Sequence, residues 1–363
     1  MVKYSCEKCG KNFFQKSHYT SHINRKNPCV QESKIESIIT NIINKQLDKK
    51  MNDEYIYIPK QMNKETMGKE KVITKKFKKI DIDITTPLTF VDLFCGIGSF
   101  HHSFIKKGWK CIMACDIDPS TRETYRSNYG VEPLGDIYDI EPKNIEHYNI
   151  LCAGFPCQPF SQAGKQKGFS DERGILFFQI MKFVKYHKPE FIILENVQGL
   201  LKHNDGRSFS TIKTLVEKEN YHFIYKVLLC SDYGIPQMRK RLFMIGIKKN
   251  IRLSGNIEDM LNFKDYEKKT SLSKYLGKKF SKTHAYTIRC GGKNSPINDR
   301  HNWDGYMVDG KEYRLTIQDV LALQGFEKDF LLCGNDKNKW KQLGNTIPTV
   351  FTDMISSNIT KIL

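Results

Sequence analysis

The segment Gly154-Phe-Pro-Cys-Gln-Pro-Phe-Ser places Cys157 between Pro156 and Pro159. Two prolines stiffen the backbone and hold a thiol outside regular strand pairing. A cysteine by itself is most often a small buried hydrophobe. Two other segments give this one company. Glu195-Asn-Val follows the apolar run Phe191–Leu194, and Gln237-x-Arg239-x-Arg241 leads into another apolar run. A thiol, a carboxyl group and paired guanidinium groups, each at a strand end, form a set able to polarise a heterocycle and attack it.

A second set points to a bound ligand. Phe90-Val-Asp-Leu-Phe-Cys-Gly-Ile-Gly-Ser reads as a strand running into Gly96-x-Gly98. Such a turn lets the backbone approach a ligand at a helix N-terminus. His101 stands where the dinucleotide fingerprint has its third glycine, which argues against a nicotinamide or flavin. Asp116 ends the next strand, where a carboxylate can accept both ribose hydroxyls, and Ile117 can cover an adenine face. Asp136, expected after a third strand, can bond an exocyclic amine. Three such groups after three successive strands suggest an adenosine-type ligand.

The elements that must position these groups alternate. Strands are expected at Leu88–Leu93, Lys110–Cys115, Ile150–Ala153, Phe191–Leu194, Phe223–Leu229 and Arg241–Ile247, the last two as a hairpin, with a helix at Gly98–Lys107. This order predicts an α/β fold with a mostly parallel, Rossmann-like sheet and helices on both faces. Residues 88–247 then form a core. Residues 248–312 lapse into short basic segments, and helical periodicity returns within 313–363.

The first 30 residues stand apart. Cys6-x-x-Cys9, then His22, then Cys29, with Phe13 and Tyr19 between them, resemble a ββα zinc finger in which Cys29 replaces the last histidine. Three thiolates and an imidazole suit tetrahedral Zn2+, and so short a segment has little core without metal. His18 could compete as a ligand. Residues 31–87 read as a linker: an amphipathic helix through Ile35, Ile38, Ile39, Ile42, Ile43 and Leu47, then a polar, Lys-rich stretch.

Composition narrows the class. The 363 residues carry 58 Lys and Arg against 40 Asp and Glu, a formal charge of +18. That excess favours a polyanionic partner. No apolar run approaches the roughly 20 residues that span a bilayer, so no membrane partner is expected, nor a secretory leader. Eleven cysteines with one tight spacing suit a reducing compartment. The expected location is cytoplasmic or nuclear, wherever DNA is. The abundance of Lys, Asn and Ile is that of an AT-rich genome, such as a large DNA virus. A monomer is expected.

Taken in order, the motifs resemble those of the DNA cytosine-5 methyltransferases. The series runs Phe94-x-Gly-x-Gly, Pro156-Cys-Gln, Glu195-Asn-Val, Gln237-x-Arg-x-Arg, Arg314-Leu-Thr, Gln324-Gly-Phe and Gln342-Leu-Gly-Asn-Thr, across residues 88–363. The resemblance implies S-adenosylmethionine as cofactor, held by Phe94, Gly96, Gly98, Asp116, Ile117, Asp136, Pro156 and Asn345. It implies double-stranded DNA as partner, and Cys157, Glu195, Arg239 and Arg241 as catalytic residues. Cys157 attacks carbon 6 of a flipped cytosine, Glu195 acts at ring nitrogen 3, Arg241 holds the carbonyl oxygen, and Arg239 supports the site. Gln162–Gly174 is the expected closing loop. Residues 248–312 become a small irregular target-recognition domain, with Arg289 as a candidate DNA contact. Two alternatives share the fold. A tRNA methyltransferase keeps Cys157 and Glu195, but its motif usually continues to threonine where this chain has Ser161. A silent DNA-binding regulator normally loses groups that are all present here.

Overall fold

The computed structural model describes residues 4–6, 12–13, 15–23, 79, 81–82, 85–156 and 176–363. Cys9, Cys29, Cys157, the expected helix at 35–47 and the expected loop at Gln162–Gly174 lie outside them. The chain divides into two units, Met1–Thr74 and Lys75–Leu363.

In the first unit, strands β1 (Tyr4–Ser5) and β2 (Asn12–Phe13) pair antiparallel, Tyr4 opposite Phe13, and helix α1 (Lys16–Ile23) follows. Tyr4 stacks on Tyr19 of α1 with ring centroids 5.6 Å apart. Strand, strand, helix is the expected order of elements.

The second unit is built on β3 (Thr89–Leu93), β4 (Lys110–Cys115), β5 (Ile150–Gly154), β6 (Phe191–Asn196), β7 (Tyr221–Leu229) and β8 (Lys240–Lys248). The sheet order is β4-β3-β5-β6-β8-β7. The first three pairings are parallel and the two made by β8 are antiparallel. The expected hairpin of the last two strands is present, and the sheet is parallel-dominated. Asp136 does not follow a third strand. Leu134 makes only an isolated bridge to Cys115, and Asp136 caps a single 3-10 turn by accepting from the Tyr138 N–H at 3.0 Å. Prolines at 133 and 142 and the polar residues between them leave too short an apolar run to pair.

Strand alternation divides the core in two. Val91, Leu93, Leu151, Ala153, Ile192, Leu194 and Met244 face one side, where α4 (Leu176–His187) and α5 (Arg207–Lys218) cover them. Phe90, Ile150, Cys152, Phe191, Ile193, Phe243 and Ile245 face the other. There α2 (Ser99–Ile105) packs with the last helix, α9 (Thr349–Ile362). Phe351, Ile355, Ile359 and Ile362 recur at helical spacing on α9 and are buried. Small hydroxyl residues let the two helices meet: Ser103 Oγ lies 2.6 Å from Thr352 Oγ1, which donates to the Ser99 carbonyl at 2.9 Å.

Helix α3 (Pro119–Tyr129) starts on Asp118, whose side chain accepts from the Ser120 N–H, and stops at Gly130 in the left-handed region. The shorter elements α6 (Leu272–Leu276), β9 (Gly305–Val308) and β10 (Lys311–Arg314) lie in or beside the basic segment. Helices α7 (Ile317–Leu323) and α8 (Asp336–Asn345) lead back to the sheet. Thr316 and Asp319 form a capping box at the start of α7.

Phe351 sits fully buried between α9 and the sheet, 5.6 Å edge-on to Phe243. Phe351→Ala should cost about 3–5 kcal/mol, read from urea denaturation. A loss under about 1 kcal/mol would mean that the α9 contact is not what covers this face.

Candidate active site

Because side chains alternate along a strand, Asp92, Gly154, Glu195 and Arg241 all fall on the face covered by α2 and α9, in the same sets as Phe90, Cys152, Ile193 and Phe243. They also stand at the ends of their strands, where open α/β sheets keep their ligands. The cleft there is lined by Asp92, Phe94, Gly96, Gly154, Glu195 and Asn345, among others.

Glu195 is 7% exposed, and its Oε1 accepts from Arg241 Nε at 2.8 Å. Burial raises its pKa, with the guanidinium groups of Arg241 and Arg239 acting against the shift. A carboxyl group poised in this way can hold a proton and release it to a basic ring nitrogen. Gly154 keeps space above it. A Cβ there would lie 3.5 Å from Glu195 Oε2 and 3.1 Å from Ile347 Cδ1.

Asn196 was quoted in the sequence only as part of Glu-Asn-Val. It is buried, and its amide donates to the Phe155 carbonyl at 3.2 Å, fixing the backbone two residues before Cys157. Cys157 itself lies outside the described residues, so this anchored stub is the nearest structural statement about the thiol.

Arg239 takes a different position from Arg241. It is 1% exposed and donates to the carbonyls of Ile288 at 2.7 Å, Gly344 at 3.1 Å and Thr346 at 2.7 Å. Burial and the like charge of Arg241 push its pKa down to about 9, still high enough to keep the cation. It therefore acts through the backbone that carries Asn345, which makes it a positioning residue. Gln237 extends the same clamp: its amide donates to the Leu323 carbonyl at 2.7 Å, and its Oε1 accepts from the Ile288 N–H at 3.2 Å.

The glycine turn is strained and braced. Phe94, Gly96 and Gly98 have φ of 57°, 55° and 90°. For Phe94 the left-handed region costs about 1–2 kcal/mol. A side chain at Gly98 would overlap the Tyr129 ring, since a Cβ would lie 2.3 Å from it. Asp116 accepts from the Gly96 N–H at 3.0 Å and the Asp118 N–H at 2.9 Å, and each oxygen keeps a lone pair for a ligand hydroxyl. Ile117 beside it is an apolar side chain left 71% exposed. Asn345 lines the cleft from the other side, and its Oδ1 accepts from the Cys290 thiol at 2.9 Å. Of the expected ligand residues, Phe94, Gly96 and Asn345 line the cleft directly. Gly98, Asp116, Ile117, Asp136 and Pro156 lie outside its lining.

Asp92 was passed over in the sequence because it sits inside a strand. It is 1% exposed, and neither carboxylate oxygen accepts a hydrogen bond of ordinary geometry, although the His101 N–H acts on it and opposes its pKa shift. Burial and then the negative charge of Asp116 raise its pKa well above the usual range. A buried carboxyl group that lines a cleft without an ordinary hydrogen bond is suited to a cationic ligand group.

Among the described residues, no cluster of His, Cys, Asp and Glu could hold a metal ion. Cys6 is buried, whereas Cys9, Cys29 and the His22 side chain lie outside those residues.

Comparison with known proteins gives a consistent result. The profile of the C-5 cytosine-specific DNA methylases matches residues 88–306. The chain is 33% identical over 289 residues to the type II methyltransferase M.DsaV of Dactylococcopsis salina, covering 72% of this chain and 82% of that one. It is 31% identical over 313 residues to M.HhaI of Haemophilus parahaemolyticus, covering 76% and 94%. Among solved structures, the S. pombe Dnmt2 methyltransferase superposes with a TM-score of 0.57 at 19% identity, covering 75% of this chain and 98% of that one. The Entamoeba histolytica methyltransferase EhMeth gives 0.59 at 16% identity, covering 76% and 98%.

The raised pKa of Asp92 has a definite sign in stability. The folded state holds this proton more tightly than the unfolded chain. The contribution is therefore complete below the unfolded value near 4 and is lost as pH rises through the folded value. Asp92→Asn, which cannot ionise, should gain in urea midpoint over the wild type, and by more at pH 8 than at pH 5. An equal difference at both pH values, or a loss growing with pH, would show that Asp92 has a partner when ionised.

Proposed function

The chain belongs to the C-5 cytosine-specific DNA methylase family and methylates DNA cytosine at carbon 5 from S-adenosylmethionine, and we propose that it does so on a short duplex target through a covalent bond to Cys157. The buried Glu195–Arg241 pair, beside a cleft lined by the buried Asp92, is the observation that carries this reading.

The residues present fit the cofactor. Asp92 offers a carboxyl group that a cationic group would help to ionise, Asp116 offers lone pairs to ribose hydroxyls, and Phe94 and Ile117 offer apolar cover to an adenine. Asn345 closes the opposite wall. S-adenosylmethionine, when bound, supplies an electrophilic methyl group. The rest of the chemistry belongs to the protein. Carbon 5 of cytosine is a weak nucleophile until the ring is activated. The Cys157 thiolate forms a bond to carbon 6 while Glu195 gives its proton to nitrogen 3, leaving an enamine whose carbon 5 accepts the methyl group. Arg241 holds the carbonyl oxygen and keeps Glu195 in place. Loss of the carbon 5 proton to water, departure of Cys157 as thiolate and return of the nitrogen 3 proton to Glu195 restore the aromatic ring. The thiol cannot reach carbon 6 within a base stack, so the cytosine turns out of the duplex.

Residues 248–312 act as the target-recognition region in this reading, and 313–363 complete the core. Residues 1–30 act as a zinc finger through Cys6, Cys9, His22 and Cys29. The ββα order and the three-thiol, one-imidazole donor set support that assignment. The curated relatives are type II methyltransferases, which fits protection of DNA against a nuclease.

Incubation with tritiated S-adenosylmethionine, separately with mixed-sequence duplex DNA and with transfer RNA, tests the proposal. Label should enter DNA and be recovered as 5-methylcytosine. It should vanish with Cys157→Ala and fall at least about 100-fold with Glu195→Gln, the scale of removing a general acid. Label in RNA alone, or full activity in Cys157→Ala, would overturn the reading.

A further inference from the structure

The basic segment contains a loop, residues 289–304, that departs from the cleft itself. Its first residues press on the cofactor wall. A Cβ at Gly344 would lie 2.5 Å from the Cys290 nitrogen, and the Cys290 thiol meets Asn345. From there the chain runs outward and returns to Asp304, which is fully buried.

The loop is held closed from within. Arg289, a candidate DNA contact, turns its guanidinium to the His301 carbonyl across the neck. Trp303 Nε1 donates to the Gly291 carbonyl at 2.8 Å, and Asp304 accepts from the Asn294 N–H at 3.1 Å. Arg314 braces the underside, donating to the Ser295 carbonyl at 2.8 Å and pairing with Asp304 at 3.3 Å. Asn302 ties Ile297 and Gly305.

What this network leaves outside is selective. Asn298, Asp299, Arg300 and His301 at the tip are all exposed. Asp299 is engaged, accepting from the His301 N–H at 2.6 Å and facing His301 Nδ1 at 2.9 Å. Among the described residues Arg300 makes no hydrogen bond or ion pair, and its charge acts on Asp299 through space. Other cations nearby are engaged: Lys293 lies over the Trp340 ring at 4.6 Å, and Lys341 pairs with Asp118 at 2.6 Å.

We propose that the tip Asn298–His301 reads the bases beside the target cytosine, and that Arg300 recognises a guanine; this rests on the DNA methylation reading above. A guanidinium fork matches the O6 and N7 acceptors of guanine in the major groove, a geometry that a phosphate contact does not need. The closed loop means that docking immobilises little beyond the tip side chains, so the contact keeps more of its energy. A flexible lysine would serve as well for a phosphate, and the lysines here are occupied elsewhere.

The test is a pool of synthetic duplexes randomised around a central cytosine and methylated by wild type, Arg300→Ala and Arg300→Lys, with 5-methylcytosine mapped by deamination sequencing. Arg300 is exposed and bonds to no described residue, so both variants should match the wild-type circular dichroism. At one position the wild type should prefer guanine. Both variants should lose that preference about ten- to a hundredfold, with the other positions unchanged. Arg300→Lys keeps the charge, so a phosphate contact would survive it. Retained preference in Arg300→Lys, or a uniform loss over all sequences in Arg300→Ala, would overturn the assignment. An unchanged sequence profile in both variants would do the same. A wild type that deposits no 5-methylcytosine in any duplex would instead sink the methylation reading, and the base-reading role with it.

Discussion

A carboxyl group held out of water at the end of a strand is costly unless something beside it makes the burial useful. Glu195 is that group, and much of the second unit can be read as its support. Arg241 approaches from the neighbouring antiparallel strand, close enough to bond but not enough to cancel the effect of burial. That balance depends on β8 running against β6. With β8 antiparallel in this register, Arg241 lies on the same face as Glu195 and two residues from the position directly opposite it. A slip of one residue would turn the guanidinium to the opposite face. The long apolar pairing of β7, β8 and β6 resists such a slip, so hydrophobic register here determines an electrostatic outcome.

A second cation extends the arrangement beyond the sheet. Arg239 is two residues from Arg241, so it shares the alternation, yet it meets only backbone carbonyls. Those carbonyls come from Ile288 and from Gly344 and Thr346, segments more than fifty residues apart in the chain. Charge-assisted bonds to three carbonyls hold those segments against one another and against the head of β8. The wall that carries Asn345 and the root of the 289–304 loop are therefore positioned by the same guanidinium. This explains why a chain with an insertion between its last sheet strand and its closing helices can still assemble one cleft.

The sheet and its strand ends were legible because each strand is a short apolar run bounded by turn residues, and because burial on both faces leaves little choice of register. Glu195, Arg241, Gly96, Gly98 and Asp116 were legible for a related reason: polar or glycine residues at the ends of apolar runs stand out. Asp92 was not, since a carboxylate within an apolar strand reads as noise until the cleft beneath it is seen. Asn196 was hidden by its better-known neighbour, and its bond to Phe155 spans 41 residues, beyond any local pattern. The charge of Arg289 was legible, but its partner, a carbonyl twelve residues on, was not. The strand expected before Asp136 failed for want of a pairing run, although the aspartate still reaches a capping position.

Three groups at the cleft and its glycine turn break local rules. Phe94 occupies a left-handed conformation, Asp92 is buried without an ordinary hydrogen bond, and Gly98 leaves no room for even a methyl group. Elsewhere many contacts follow the rules: α3, α6, α7 and α8 start on capping side chains, Asp304 and Asp319 are paired, and α2 meets α9 through matched hydroxyls. Marginal stability means that such departures persist only where the surrounding structure holds them in place. At the cleft, Asp92 gives the cofactor a thermodynamic role. A cationic ligand seated on Asp92 would supply a charged partner, so binding would relieve a cost already built into the folded state and stabilise it by mass action.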